Sequence, residues 1–330
     1  MSFLGGDIHG FVMSWMQGAQ ATRTRQRVAF AATIEGAEAF ATSWFGSDFD
    51  AVFVPNVEGR TTDGAPLVGF DGELAEDGEV RLDDDLIIQF QNYAVAEFLS
   101  FPGPTVLVPQ TSHDRDAFAA HLAAARSTGV FPAVLTDPQV VVGDRQAWVG
   151  GPVPAEPEFV FVGEDGTVSS SPWGAVYGRI TDGQFAADTG VQDGPVDEAA
   201  LHFLQTLEAL RYAAARGLSS LSASGYGSFL DSDSSPESVR TQTTSGAVLL
   251  FDAEHHLLHI SDQHRTYSLT RDLASLVELQ LRFGDQALEH ADESTTLRRL
   301  PEDERASALK QVRKFIGSRL SAGEAERVSA

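Results

Sequence analysis

The chain has 330 residues, 42% of them hydrophobic and 9% aromatic, a composition typical of a globular protein of about two domains. Its 23 basic and 47 acidic residues give a formal net charge of −24, which disfavours binding to nucleic acids and to anionic membranes. Because the chain contains no cysteine, disulfides, thiolate metal sites and cysteine nucleophiles are excluded.

The charge is unevenly distributed. Residues 1–240 contain 12 basic and 33 acidic residues, whereas residues 241–330 contain 11 and 14, including both lysines, Lys310 and Lys314. This asymmetry predicts two regions with different surfaces.

The first residues do not resemble a secretion signal, because no basic residue precedes the apolar stretch and Asp7, His9 and Gln17 interrupt it. No later stretch approaches the roughly 18 consecutive apolar residues of a membrane span. We therefore expect a cytoplasmic protein without a membrane partner.

Short apolar runs alternate with helical stretches over residues 1–150, which favours an α/β domain. The patterns predict strands at 27–33, 51–55 and 85–90 and a helix at 35–44. The region 58–85 is predicted to be a loop or an exposed hairpin.

A strand–helix–strand unit is predicted at 105–109, 112–126 and 130–135, with Ser112 as the helix N-cap and Gly129 at its end. Such a unit implies a parallel strand pair. The chain contains neither G-x-G-x-x-G nor G-x-x-x-x-G-K-[ST], so a phosphate-binding loop of either kind is unsupported and no cofactor is expected, although open α/β sheets also bind ligands without these motifs.

Residues 150–157 contain three prolines and two glycines and are predicted to be a linker. The region 158–240 then has the patterns of antiparallel strands at 158–162 and 173–177, a helix at 197–216, and a serine-rich connection at 219–238. We interpret it as a mixed α+β region.

No catalytic or metal-binding residue is assigned. His255 and His259 are four residues apart, but the flanking apolar runs predict strands, in which they would lie roughly 13 Å apart. The serine-rich stretch lacks the G-x-S-x-G spacing of a hydrolase nucleophile.

From Gly246 the chain has the pattern of a three-stranded meander followed by helices. Strands are predicted at 247–251, 257–260 and 265–269, and a helix capped by Thr270 ends at Gly284. Pro301 opens the last helix, whose apolar face consists of Leu309, Val312, Phe315 and Ile316.

This order of three strands and three helices resembles the small winged-helix-like leader-recognition domain of ribosomally made, post-translationally modified peptide pathways, typified by the pyrroloquinoline-quinone peptide chaperone. The local match is Tyr267-Ser-Leu-Thr-Arg-Asp-Leu-Ala-Ser-Leu-Val-Glu-Leu279, which is similar to that family's third strand running into its first helix. The whole chain also resembles the larger recognition proteins of daptide-type pathways. The resemblance implies a winged-helix-like peptide-recognition domain at 246–320.

The resemblance further implies a non-catalytic protein that binds the leader of a precursor peptide and presents it to partner modifying enzymes. In that family the leader adds as an extra strand to the third strand, and its apolar side chains enter a groove beside the last helix. Carried over to this chain, the strand edge consists of Arg265, Thr266, Tyr267, Ser268 and Leu269, and the groove is lined or rimmed by Leu309, Val312, Arg313 and Ile316. The basic residues Lys310, Arg313 and Lys314 would attract an acidic leader.

Three other interpretations stay open at this point. An amphipathic helix over a meander also occurs in structural or assembly proteins, where its basic residues complement the helix dipole. A winged-helix-like unit also suggests DNA binding, which the overall charge disfavours. The main alternative is a small-molecule enzyme with a site at the carboxyl ends of the strands at 51–55 and 105–109.

Overall fold

The computed structural model describes residues 27–74, 78–82, 86–98, 103–151, 157, 159–188, 195–231 and 246–329. The described residues up to Phe118 and those of Gln139–Asp197 form a first unit; Ala119–Pro138 and the described residues from Glu198 onward form a second. The N-terminal segment, most of the predicted linker and residues 232–238 of the serine-rich connection lie outside the described residues.

The described part of the first unit contains a mixed sheet of twelve strands. In chain order these strands are β1 Val28–Ala31, β2 Ala51–Pro55, β3 Gly59–Arg60, β4 Pro66–Gly72, β5 Glu79–Leu82, β6 Leu86–Asn92, β7 Thr105–Val108, β8 Val140–Val142, β9 Phe159–Val162, β10 Thr167–Ser169, β11 Val176–Thr181 and β12 Gln184–Ala187. The helices are α1 Ile34–Thr42, α2 Ser112–Thr128, within which the division between the units falls, and α3 Arg145–Val149.

The strand order of this sheet is β12-β11-β10-β9-β1-β2-β4-β5-β6-β7-β8, with β3 paired to β4. Two groups of parallel strands, β9-β1-β2-β4 and β6-β7-β8, are joined by antiparallel pairs through β5. The unit therefore has the mixed α/β character that the alternating pattern predicts.

The first strand–helix–strand unit, β1-α1-β2, is confirmed. All four residues of β1 are fully buried, which explains its uninterrupted apolar sequence. The Thr33 hydroxyl accepts a hydrogen bond from the Gly36 N–H at 3.0 Å and so begins α1 where the pattern places the helix.

The second such unit differs from the prediction at two points. The helix cap is Thr111 rather than Ser112, because Thr111 and Asp114 exchange hydrogen bonds across the first turn. The predicted strand at 130–135 is wrong: Ala133–Thr136 is a 3-10 turn, and the strand parallel to β7 is β8. Within the second unit, Phe131 instead stacks on Phe203.

Two predicted boundaries also change. The region 58–85, predicted to be a loop or exposed hairpin, supplies β3, β4 and β5, and its residues Phe70 and Val80 are buried in the core of the sheet. The strands of 159–187, predicted to start a separate region, extend the first sheet because β9 pairs parallel with β1. The two units thus divide the chain differently from the predicted regions 1–150, 158–240 and 246–320.

The second unit contains a four-stranded antiparallel sheet. Its strands are β13 Ser222–Ala223, β14 Ala247–Phe251, β15 His256–Ile260 and β16 Arg265–Ser268, in the order β13-β14-β15-β16. The last three form the predicted meander, and β13 adds a strand that the sequence pattern does not predict.

Helices lie on both faces of this sheet. They are α4 Glu198–Ala214, α5 Arg271–Phe283, α6 Thr295–Arg298 and α7 Glu302–Ser329. Residues of β14 and β15 such as Leu249 and Leu258 pack with α5, α6 and α7 in one apolar core. The alternate residue His259 points to the opposite face, where it contacts Glu208 of α4.

The predicted helix at 271–283 is confirmed in detail. The Thr270 hydroxyl accepts a hydrogen bond from the Leu273 N–H, and the helix ends at Gly284, whose φ is 53°. Within the described ranges, no helix is long and apolar enough to cross a bilayer.

Candidate functional site

Strand β16 lies at the edge of the second unit's sheet, where the sequence predicts an accessible strand. It pairs with β15 on one side, with Tyr267 opposite Leu258 and Arg265 opposite Ile260. None of the described strands pairs with its other side. Arg265 and Ser268 are exposed, whereas Thr266, Tyr267 and Leu269 are half-buried.

The register determines which main-chain groups point outward. The Leu269 N–H donates to the His256 carbonyl at 2.8 Å, so Leu269 faces β15. Because antiparallel pairs alternate between hydrogen-bonded and non-hydrogen-bonded positions, Tyr267 also faces β15, while Thr266 and Ser268 face away from it. No residue that the structure describes hydrogen-bonds to the main chain of these two outward residues.

Side chains of β16 meet α7 on the inner face of the sheet. The Tyr267 and Phe315 rings are 6.2 Å apart at an interplanar angle of 75°. The Arg319 guanidinium carbon lies 5.0 Å from the Tyr267 ring centroid and 5.5 Å from that of Phe315. A half-buried aromatic pair with a cation over both rings therefore borders the open edge.

The residues predicted to form the groove lie elsewhere. Leu309, Val312 and Ile316 are only 6%, 3% and 4% exposed and belong to the core formed with α5, so they do not line an open groove. The Arg313 guanidinium is 2.6 Å from Asp285 and 3.2 Å from the Gly284 carbonyl, at the end of α5. The structure therefore brings none of these four side chains to the edge of β16.

The α7 residues that contact Tyr267 of β16 are instead Phe315 and Arg319. Sequence reasoning assigned Phe315 to the apolar face of the helix and did not single out Arg319. Their spacing of four residues places them on one side of a helix, next to the buried stripe. The spacing shows from the sequence that the two residues share one side of the helix. That this side contacts Tyr267 is shown only by the packing of the helix on the sheet.

On the opposite face of the sheet, β16 is fixed by a chain of polar contacts through buried His259. Nδ1 of His259 lies 2.9 Å from the Thr266 hydroxyl, and Nε2 lies 3.3 Å from Oε1 of Glu208. Nδ1 of His264 lies 2.7 Å from the same Glu208 oxygen. Burial alone would raise the pKa of Glu208, but hydrogen bonds from His259 and His264 outweigh it and hold that pKa below its ordinary value.

The basic side chains of β16 and α7 differ in whether they have an ion-pair partner and in whether they lie on the side of the helix that contacts Tyr267. Arg265 and Arg319 have no ion-pair partner among the residues that the structure describes. Lys310 and Lys314 are exposed, but they lie about 140° and about 100° around the helix from Phe315, away from Tyr267. Of the three cations predicted to attract a leader, none lies beside the strand edge.

One part of the alternative site, at the carboxyl ends of β6 and β7, contains a carboxylate that is engaged in internal hydrogen bonds. Fully buried Asp114 accepts hydrogen bonds from the N–H groups of Ala94, Gln110 and Thr111 and from the Thr111 hydroxyl. This carboxylate fixes the ends of β6 and β7 and has little capacity left for a substrate.

A second carboxylate lies after β8. Asp144 accepts hydrogen bonds from the hydroxyls of Ser170 and Ser171 and caps α3 at the Ala147 N–H. Burial, together with the charge of Asp144, raises the pKa of Tyr177. This network joins α3 to the β10–β11 turn, and we interpret it as a structural cluster of hydrogen-bonded polar groups.

Three residues of the histidine-rich stretch divide between two separate carboxylates, Asp252 and Glu208. Nδ1 of His255 lies 3.1 Å from Asp252, at the turn between β14 and β15, while His259 points to Glu208. In the described part of the chain, no group of three or more histidine, aspartate or glutamate side chains has the geometry to hold a metal ion.

Comparison of this chain with protein-family models, with curated proteins and with solved structures finds no match.

Proposed function

We propose that this protein binds an extended segment of a ribosomally made precursor peptide by strand addition to β16 and presents it to partner modifying enzymes. The observation that carries the proposal is the open edge formed by the outward main-chain groups of Thr266 and Ser268. The element order β14-β15-β16-α5-α6-α7 gives further support, because it is the order of the resembled leader-recognition domain.

Main-chain pairing at such an edge is tolerant of sequence. A guest strand exchanges N–H and C=O bonds with Thr266 and Ser268, whatever its side chains are. Side chains on alternate guest residues then meet either the aromatic pair of Tyr267 and Phe315 or the opposite, polar face at Thr266. Affinity thus comes from the backbone and selectivity from the two faces.

The contrast with an edge of the first unit supports a binding role. β12 is an edge strand of the first unit. Its register points the main-chain N–H and carbonyl of Phe185 away from β11, and this carbonyl accepts a hydrogen bond from the Trp44 indole at 3.3 Å. Covering an edge in this way is a common protection against unwanted pairing. The outward groups of Thr266 and Ser268 have no such cover from the described residues.

A second copy of the chain is a less suitable occupant than a peptide. Antiparallel self-pairing of β16 would bring together two copies of the chain, each with a formal net charge of −24. A net charge of this size disfavours association between copies. The edge therefore favours a different chain as its partner.

The test uses the full-length protein and fluorescein-labelled synthetic peptides that cover the short reading frames beside its gene. We expect saturable binding by fluorescence anisotropy, and we expect Ser268→Pro to abolish it because proline removes the outward N–H. Ser268→Ala, which keeps that N–H, should bind like the wild type.

A second measurement uses the wild-type protein, so it does not depend on whether Ser268→Pro folds. N-methylation of successive peptide residues removes one guest donor at a time, and strand addition predicts a loss of affinity that recurs every second residue. Absence of saturable binding by every peptide, or losses without this period, would overturn the proposal.

A further inference from the structure

We infer that the peptide bound at β16 carries an apolar side chain opposite Tyr267 and an acidic side chain two residues away, opposite Arg265. This inference rests on the proposed strand addition and specifies its ligand. The site consists of Arg265, Tyr267, Phe315 and Arg319, which we call the aromatic–arginine rim.

The position of the apolar side chain follows from the geometry of the sheet. Arg265, Tyr267 and Leu269 alternate with the outward residues and point to the face covered by α5 and α7. A guest residue directly across from Tyr267 points to the same face, with its Cβ about 5 Å away. Its side chain therefore enters the space beside Tyr267 and Phe315, where an apolar group packs against the aromatic rings.

The acidic position follows from the charges. The Arg319 guanidinium lies over two aromatic rings, and no carboxylate of the described residues pairs with it or with Arg265. A guest residue two positions from the apolar one shares its face and lies across from Arg265. A carboxylate there lies across from Arg265, on the face of the sheet where the Arg319 guanidinium lies over Tyr267, and a charge pair of this kind adds selectivity.

General attraction by the basic helix is a distinct explanation, and the chain offers a control for it. Lys314 has the same charge and belongs to the same helix as Arg319, but it lies about 100° around the helix from Phe315. Neutralising Lys314 changes the net charge as much as neutralising Arg319 does. Only the rim residue is expected to alter which peptides bind.

The experiment is a selection from a displayed library of random peptides of about ten residues, a usual strand length, against the full-length protein. Binders that depend on the strand edge are those lost with Ser268→Pro or with periodic N-methylation. Among them we expect an acidic residue enriched two positions from an apolar one. Arg319→Gln should weaken such a peptide about fivefold and reduce its salt dependence, while Lys314→Gln leaves both unchanged.

The outcomes separate the two proposals. If edge-dependent binders appear without the acidic–apolar spacing, or if Arg319→Gln and Lys314→Gln behave alike, the inferred ligand is wrong and strand addition stands. If no edge-dependent binder appears, strand addition itself is wrong. Restoration of affinity by Arg319→Lys for the acidic peptide, but not for its amide analogue, would assign the effect to charge at the rim.

Discussion

The hydroxyl of Thr266 lies 2.9 Å from Nδ1 of His259, so the edge strand is attached to its neighbour by a side chain as well as by the main chain. When Nε2 of His259 donates to Glu208, Nδ1 is free to accept the threonine proton. The outward main chain of β16 is thereby held in place before any partner arrives, and such preorganisation reduces the entropy lost on binding.

Removing this hydroxyl tests the attachment. Thr266→Val keeps the branched shape but leaves a buried nitrogen of His259 without its partner, so we expect the free energy of unfolding to fall by about 1–3 kcal/mol. Urea unfolding followed by circular dichroism measures the change. Thr266→Ser, which retains the hydroxyl, is the matched control, and equal losses in both variants would contradict the assigned role.

The depressed pKa of Glu208 predicts an acid-dependent contribution to stability. Because the folded pKa lies below the unfolded value, the contribution is fully present above the unfolded pKa and is lost as pH falls through the folded one. The difference in unfolding free energy between the wild type and Glu208→Gln should therefore shrink as pH falls from about 5 to about 2. A constant difference across this range would show that the carboxylate is not held by the two histidines.

The apolar residues first assigned to a groove should behave as core residues. We expect Leu309→Ala to lower the free energy of unfolding by about 2–5 kcal/mol, because it opens a cavity beside α5. The neighbouring Lys310→Ala should change it by no more than about 0.5 kcal/mol. Chemical denaturation compares the two, and an equally small effect of both would mean that Leu309 is available to a ligand.

The cover on β12 also gives a prediction. Trp44→Ala removes the indole that donates a hydrogen bond to the Phe185 carbonyl and contacts the Phe185 ring edge-to-face, which exposes an unpaired strand edge and apolar surface. We expect concentration-dependent self-association of this variant in sedimentation velocity, while the wild type sediments as a smaller species. Trp44→His, which retains a ring N–H, should associate less than the alanine variant.

Some elements could be predicted to the residue, and the reasons are physical. Ala51–Pro55 and Ala247–Phe251 are uninterrupted apolar runs because both faces of each strand are buried, and polar residues mark their ends. The strand assigned to 130–135 was wrong because an apolar run has the same appearance whether it pairs in a sheet or packs as a turn, as Leu135 does.

The same limit applies to the candidate site. The edge position of β16 was expected from the resemblance to the leader-recognition domain, not from the residue pattern itself. The spacing of Leu309, Val312 and Ile316 shows that α7 has an apolar face, but not whether that face meets the core or a ligand. Phe315 and Arg319 become neighbours of Tyr267 only through the way α7 crosses the sheet, which is a tertiary property.

The junction between β16 and α5 has a mechanical consequence. The Leu269 N–H is hydrogen-bonded to the His256 carbonyl, and Thr270 caps the helix. The strand therefore continues into the helix without an intervening loop. An added strand that tightens β16 should slow amide hydrogen exchange in the first turn of α5, which follows the strand directly. Occupancy of the edge would then be detectable in a helix as well as in the strand itself.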